Sequence, residues 1–490
     1  MENLSTALLL YSPEMIIAIT LCFALIIQMI SKNKTLTFLT VLSGLLVSAY
    51  ASLRLSEVEP QTYFSNLLSH DPFSLFFRAF FILATFFTFL FSFTSHEISE
   101  DRHSEFYLMI LSVLIGMTTL VSSINILSLY LSLELVSIVS YALAGFRKEH
   151  PASNEAAIKY LLYGAMASGT MLWGLSLLYG LTGTLNLYLL KAALSSSYID
   201  PLSLHAIFIM LLFGFGFKMA FVPFHMWAPD VYHGAPTPTA AFFTVAPKAA
   251  GFAIFIRFFY TVFANPVGNG TEWVWYANLN WPLFIAILSA LTMTVGNLSA
   301  LFQKNAKRML AYSSIAHAGY MMLGLVALTQ SGISAVLFYI VVYFFMNFGA
   351  FFIVGLVGNI FKNEEISNFK GLGWKSPLVG ISMAIFLLSL TGLPPLGGFI
   401  GKVYLFLALV QKETYWLLIV AIINTVISLY YYAYIIREMF LEKPENETRI
   451  VLSPLHAVTL LLLVVPTVVL GIYWEPLMTY VSKSLQFVQP

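Results

Sequence analysis

Apolar runs of about twenty residues follow one another along almost the whole chain, separated by short polar gaps, and this constrains the fold more than any other feature. A helix needs about 20 residues to cross about 30 Å of hydrocarbon. Runs of that kind occur at roughly 7–30, 35–54, 72–95, 105–122, 125–146, 154–180, 202–222, 238–263, 281–302, 307–329, 332–358, 377–410, 414–436 and 453–474, numbered here as spans one to fourteen. No gap between them has room for a soluble domain. Composition agrees: 59% of residues are hydrophobic and 10% charged, with a mean hydropathy of +0.84, against about 25% charged in an ordinary soluble domain. The expected fold class is an all-α polytopic membrane protein. Span one lacks a basic leading region and a small-residue cleavage site, so it reads as a retained span rather than a removed signal.

The distribution of Lys and Arg tests the count, because basic residues concentrate in alternate loops. With fourteen spans, Lys32, Lys34, Arg102, Arg147, Lys148, Lys304, Lys307, Arg308, Lys362, Lys370, Lys375, Arg437, Lys443 and Arg449 fall on one side. Only Arg54, Lys191, Lys412 and Lys483 fall on the other. A missed helix would scramble that bias. Both termini are therefore expected on the outer side of a bacterial plasma membrane, an organelle membrane being the alternative. Cys22 is the single cysteine, which excludes an intrachain disulfide and a cysteine-held metal or iron-sulfur site. No phosphate-binding glycine motif, nucleophile triad or metal-ligand cluster is present.

Six basic residues remain inside spans: Arg78, Lys159, Lys218, Lys248, Arg257 and Lys402. A lysine at a helix centre costs roughly 2.5–3.5 kcal/mol on insertion scales, so it needs a partner, an aqueous cavity or a task. Arg78 and Arg257 lie near enough to span ends to snorkel or pair structurally. Lys218, Lys248 and Lys402 are too deep, or too close to broken backbone, for that, and read as functional. Glu134, at the centre of span five, is their obvious counter-charge. Lys159 lies about a turn and a half into span six, where an interfacial lysine is an equal reading. His225 and His317 draw weight only from their context, since a lone histidine in a bundle is more often a hydrogen-bonded core residue. Glu14 reads as interfacial or as a contact with a neighbouring chain, and Asp230 as a backbone cap.

The stretch GFKMAFVPFHMWAPDVYHGAPTPTAAFF, residues 216–243, holds Pro223, Pro229, Pro236 and Pro238. Four prolines cannot all sit in one continuous helix, and freed backbone at membrane depth is tolerated only where protein or water satisfies it. The break implies a wet cavity beside Lys218. Span twelve repeats the device in LTGLPPLGGFIGK, a broken helix followed by the buried Lys402. The breaks lie five spans apart, so each is fourth in a five-span block, and an odd block length makes the blocks inverted repeats. This divides the chain into an N-terminal three-helix segment (1–104), two five-helix repeats (105–263 and 264–440) and a C-terminal helix (441–490). His317 in span ten occupies the place of Glu134 in span five, while span thirteen has no charge to match Lys248. A row of titratable groups near mid-membrane suits proton transfer.

The segments HMWAPDVYHGAPTPTAAFF, VAPKAAGF, KRMLAYSSIAHAGY and GLPPLGGFIGK resemble the antiporter-like membrane subunits of the proton-pumping NADH:quinone oxidoreductase, complex I, and most closely the subunit N type. The resemblance spans nearly the whole chain. VYHGAPTP looks like subunit N; Lys402 argues against subunit M, which carries a glutamate in the twelfth span. The long lateral helix of subunit L has no counterpart in the residues after Trp474. The resemblance implies that Glu134 and Lys218 form the charged pair, Lys248 is the central connecting lysine and Lys402 lies on the exit route. It also implies that Lys159 couples neighbouring subunits, that His225 lies on the uptake path, and that His317 belongs to the same row. Flavin, iron-sulfur clusters and quinone are then expected on partner subunits, with no cofactor in this chain. Its partners would be the other complex I membrane subunits, the lipid bilayer and protons, without nucleic acid. The function expected is a redox-inactive subunit that conducts protons while electrons pass from NADH to quinone elsewhere. The alternative is a subunit of a multisubunit sodium/proton antiporter, because those proteins share the broken spans.

Overall fold

Helix starts are written into the loops. Asp71 accepts the backbone N–H of Ser74 and its own N–H donates back to Ser74 Oγ in a capping box, and Asn125, Asp200, Asn305 and Thr329 cap four further spans with side-chain oxygens. Pro72, Pro151, Pro201, Pro377 and Pro454 open spans at the first helical position, where a missing N–H leaves no intrahelical bond unmade. The computed structural model describes residues 4–31, 33–196, 200–267, 270–276, 279–443 and 449–485. Lys32, counted above among the basic-side residues, lies outside them.

Thirteen helices among the described residues are long and apolar enough to cross a membrane. The run at 377–410 is two shorter helices, Pro377–Thr391 and Gly397–Gln411, so all fourteen sequence positions are occupied. Span eight, Thr237–Val262, is enclosed along its length and spans ten and eleven nearly so, whereas only 22%, 33% and 28% of spans one, thirteen and fourteen is buried. Those outward side chains are large and apolar, such as Ile30, Val426, Tyr430 and Val465, as lipid contact requires.

The loops sort onto two faces as the basic-residue bias requires. On the basic face, Thr237, which opens span eight, donates through N–H and Oγ1 to Glu97 at 2.6 Å each. Arg147 lies 3.8 Å from Glu97, and Lys307 donates to Ala235 O at 2.7 Å while lying 3.8 Å from Glu364. These groups come from five alternate loops. On the other face, Ile124 N–H donates to Leu67 O, Ile126 N–H to Leu185 O, Tyr276 OH to Leu194 O and Trp273 N–H to Leu328 O. Two β-hairpins lie there that the sequence reading leaves as loops. Gln61–Tyr63 pairs with Leu68–His70, and Ala264–Val267 with Glu272–Trp275. Each strand is only three or four residues long, below the length at which alternation can be read.

The arginines behave as pairs. Arg257 of span eight makes a fork-on-fork contact with Asp71, at 2.8 and 2.9 Å. Arg78 of span three donates through Nε to Glu14 of span one at 2.9 Å, with both side chains 1% exposed. Glu14 is therefore neither interfacial nor a contact with a neighbouring chain. Its carboxylate turns inward to balance Arg78.

Glu97 lies in the loop between spans three and four. Burial pushes its carboxyl up, but Lys307, Arg147 and the two bonds from Thr237 outweigh that and hold it below the ordinary value of 4.5. A depressed carboxyl contributes stability in full above its unfolded value, and that contribution is lost as pH falls through the folded one. Glu97→Gln should cost about 1–3 kcal/mol at neutral pH and flatten the loss of thermal stability below about pH 4.5 in detergent. An unchanged acid limb in the variant would show that Glu97 does not tie these loops.

Candidate functional site

Span seven runs from Pro201 to Met219 and stops where Ala220 takes a left-handed φ of +56°, its N–H satisfied by Gly216 O and Phe217 O. A short link leads to the helix Ala228–Gly234 and then to span eight. Pro229 and Pro238 occupy the first turns of those helices, where a proline is tolerated, leaving Pro223 in the link after span seven and Pro236 at the N-cap of span eight. The freed N–H of Val222 donates to Thr292 Oγ1 of span nine at 3.0 Å, which supplies the satisfaction that broken backbone requires.

Lys218, 4% exposed, lies at the end of the helix before this break. Its Nζ donates to Ser137 Oγ at 3.0 Å. Glu134 is one turn before Ser137 on span five, yet no Glu134–Lys218 contact within 4.0 Å occurs among the described residues. The counter-charge expected from sequence thus makes no direct contact with the lysine, which bonds a hydroxyl instead. Glu134 Oε1, Tyr141 OH, Trp227 Nε1 and His225 Nδ1 are buried around the break without a protein partner. Unpartnered polar atoms at membrane depth are where water is expected.

The stem of Lys218 packs on Gly251 of span eight, where an added Cβ would stand 3.3 Å from Lys218 Cγ. Gly251 is one turn beyond Lys248, so the two lysines are neighbours on one surface. Lys248, 2% exposed, donates to Ser314 O at 2.7 Å and Ser314 Oγ at 3.1 Å on span ten. One turn further on span ten, His317 meets Tyr339 OH through Nδ1 at 2.7 Å and Tyr432 OH through Nε2 at 3.2 Å. Tyr432 OH continues to Ser313 Oγ at 2.5 Å.

The second break differs from the first. The helix Pro377–Thr391 ends at Gly392 with φ +89°, and Lys402 lies well inside the following helix. Its Nζ reaches back to Thr391 O at 2.8 Å and lies 4.4 Å over the Tyr320 ring. Cations are favoured at such a helix C-terminus, where carbonyls point outward. Lysine follows the break only here; in span seven it precedes it. Gly392 leaves room for this return, since a Cβ there would lie 2.8 Å from Lys402 Cδ. Gly398 N–H donates to Ser389 Oγ at 3.1 Å, rejoining the two halves. Beyond Tyr320 a polar ladder runs through Thr425, Asn424, Asn297 and Tyr431 on spans nine and thirteen.

Lys159 stands apart from this row. It is 37% exposed and pairs with Asp230 at 2.5 Å and Glu155 at 2.6 Å, while Arg308 holds the other Asp230 oxygen at 2.8 Å. Asp230 therefore clamps spans six and ten to the short helix; it does not cap that helix, whose N-cap has no side-chain bond. Sequence reasoning misses Ser137, Ser314, Thr391, Tyr339 and Tyr432. A hydroxyl one turn from a titratable residue, as at Glu134–Ser137 and Ser314–His317, is the signal that could have found the first two. No group of three His, Cys, Asp or Glu able to hold a metal occurs among the described residues.

Residues 123–428 match the family model described as NADH:quinone oxidoreductase/Mrp antiporter. The chain is 39% identical to the NADH-quinone oxidoreductase subunit N of Anaeromyxobacter sp. (strain Fw109-5), covering 99% of this chain and 98% of that one. Among solved structures, a chain of respiratory complex I from Thermus thermophilus superposes with a TM-score of 0.80 at 30% identity, over 96% of this chain and 99% of the other. A chain of the Mrp complex from Dietzia sp. superposes at 0.83 over 97% of both chains, but at 19% identity that likeness shows the fold alone.

A Cβ at position 398 would fall 1.8 Å from Ser389 O, a backbone atom that cannot swing away. Gly398→Ala should therefore cost roughly 1–3 kcal/mol as an overpacked core site does. Gly169→Ala, where nothing lies within 4 Å, should be neutral or stabilising by up to about 1 kcal/mol. Thermal denaturation of the two variants in detergent compares them directly, and equal midpoints would mean the second break is not closed as described.

Proposed function

The chain belongs to the NADH-quinone oxidoreductase subunit N family, membrane subunits of respiratory complex I, and on that premise we propose that protons cross the membrane along the buried row running from Glu134 and Lys218 through Lys248 to Lys402. It is a multi-pass subunit of that translocase, and its partners are the other membrane subunits of complex I in the bilayer. Flavin, iron-sulfur clusters and quinone belong to those partners, and this chain carries no redox group.

One observation carries the proton assignment. Three lysines, 4%, 2% and 3% exposed, are held by Ser137, Ser314 and Thr391 oxygens, with no carboxylate within 4.0 Å among the described residues. A hydroxyl or carbonyl accepts from an ammonium and equally from a neutral amine, and a hydroxyl can also donate back, so such a site accommodates either protonation state. A carboxylate partner would lock the charged form. Movement of Glu134 relative to Ser137 alters the field on Lys218 and displaces its proton toward Lys248, which lies one turn along span eight. His317 with Tyr339 and Tyr432 joins Lys248 to Tyr320 and Lys402, from which the proton leaves on the outer face. His225 stands beside the first break on the uptake side. Lys159, exposed on the basic face and clamped to Asp230, is the group through which a neighbouring subunit resets the short helix.

The membrane is the bacterial plasma membrane, with both termini outside and the basic loops in the cytoplasm. The two five-span blocks are inverted repeats, each contributing half of the path.

Lys218→Ala should abolish most NADH-driven proton uptake attributable to this subunit in inverted vesicles. Ser137→Ala, which removes one hydrogen bond of about 0.5–1.5 kcal/mol, should slow uptake roughly two- to tenfold. Unchanged proton-to-electron ratios for both, in a fully assembled complex, would overturn the assignment.

A further inference from the structure

The segment KRMLAYSSIAHAGY of span ten is only half used by the proton row, which takes Ser314 and His317 and leaves Lys307 and Arg308. Both lie in the first turn of the helix Ala306–Val326, and both reach the short helix Ala228–Gly234 that follows the first break. Arg308 Nη1 holds Asp230 Oδ1, in the first turn of that short helix, at 2.8 Å. Lys307, 0% exposed, donates through Nζ to the carbonyl of Ala235, the C-cap of the same helix, at 2.7 Å. Two adjacent residues of span ten thus grip the short helix at both ends. The carboxylate of Glu364 lies 3.8 Å from Lys307 and balances its charge, yet the close bond goes to a backbone carbonyl, which fixes where the chain runs.

The grip reaches both lysines of the first block. Trp227, the N-cap of the short helix, stacks on Tyr160 of span six with ring centroids 4.4 Å apart, and its ring lies 4.9 Å from that of Phe217, the residue before Lys218. In the other direction, Lys307 and Ser314 are about two turns, or about 10 Å, apart and so share one face of span ten. Ser314 holds Lys248. One face of a single helix therefore carries the grip on Ala235 O at one end and the acceptors of Lys248 Nζ at the other. Lys159 and Arg147 hold the same short helix from the first block, at Asp230 and at Gly234 O. Span ten supplies the hold from the second.

We propose that Lys307 and Arg308 are positioning residues for proton transfer: through them span ten holds the short helix behind the first break in register with Ser314, so that the surroundings of Lys218 and Lys248 move together. This rests on the proton row proposed above. Neither residue carries the proton. Arg308 acts through Asp230, and Lys307 through Ala235 O. A shift of the short helix, passed to Phe217 by Trp227, is passed by span ten to the oxygens that hold Lys248, and the two lysines change surroundings in one motion. The chemistry needed differs at the two positions: Asp230 requires a cation, whereas a carbonyl requires only a donor.

Inverted vesicles carrying the assembled complex test this, with proton uptake read per NADH oxidised and normalised to complex content. Arg308→Gln should lower that ratio toward the value of Lys248→Ala, and Arg308→Lys, which keeps a cation on Asp230, should restore it. Arg308 is 34% exposed, so its truncation opens no core cavity. Lys307→Met, which keeps the length of the side chain and removes the donor, should lower the ratio in the same direction. Arg308→Gln combined with Ser314→Ala should lose less than the product of the two single losses, because both interrupt one linkage. A purely structural role predicts less complex with an unchanged ratio in what assembles; that result, or independent losses in the double variant, overturns the proposal. An unchanged ratio in Lys248→Ala removes the proton row and this proposal with it. A lowered ratio there, with unchanged ratios in Arg308→Gln and Lys307→Met, removes this proposal alone.

Discussion

A full charge taken from water into a lipid-embedded bundle costs several kcal/mol unless something replaces its hydration, and this chain meets that cost in two different ways. Its buried arginines are given carboxylates: Glu14 for Arg78 and Asp71 for Arg257. The three lysines buried deep within the spans are given neutral oxygens: Ser137, Ser314 and Thr391. Arginine cannot be deprotonated in a protein, so its charge must be matched permanently. Lysine can lose its proton, so a neutral partner leaves both states available. The division follows residue chemistry, and it separates the groups that hold the bundle together from those that can change charge within it.

The broken helices serve the same end. A helix that ends inside the membrane exposes carbonyls that must be satisfied. In span twelve that role falls to Lys402, bonded to Thr391 O, so the lysine is placed by the break itself. In span seven the left-handed Ala220 closes the helix through its own backbone, and Lys218 is free to turn to Ser137 on span five. The link that follows is anchored by Thr292 from span nine, which belongs to the second half of the chain. The first break is therefore built from both halves, and a change at span nine reaches the backbone beside Lys218 through one hydrogen bond.

Much of this was legible in the sequence because hydrocarbon imposes simple rules. Run length locates the fourteen spans, and the basic bias sorts the loops: Glu97, Arg147, Lys307 and Glu364 do meet on one face. Depth alone picks out Lys218, Lys248 and Lys402. What could not be read was partner choice. Glu134 is the counter-charge the sequence offers, yet Lys218 bonds Ser137, one turn further along the same helix. Glu14 was misplaced for the same reason, since its partner Arg78 lies 64 residues away. The hairpins are too short to carry a period. Asp230 looked like a cap because it begins a helix, but Lys159 and Arg308 offer charge-assisted bonds stronger than those to a backbone N–H.

The two five-span blocks each contain a broken helix but differ in chemistry. Where span eight supplies Lys248, span thirteen supplies Asn424, Thr425, Tyr431 and Tyr432, which form a ladder of hydroxyls and amides with Asn297 and Tyr320. Such groups pass a proton by exchanging donor and acceptor roles without holding a net charge. On the proposed path, charge would rest on Lys218 and Lys248 in the first half and, beyond His317, on Lys402 in the second. A charge resting on Lys248 is opposed by Lys218 on one side and meets only neutral hydroxyls and imidazole on the other. If protons follow this row, repulsion from behind and polarisable groups ahead would give it a direction that two identical halves would lack.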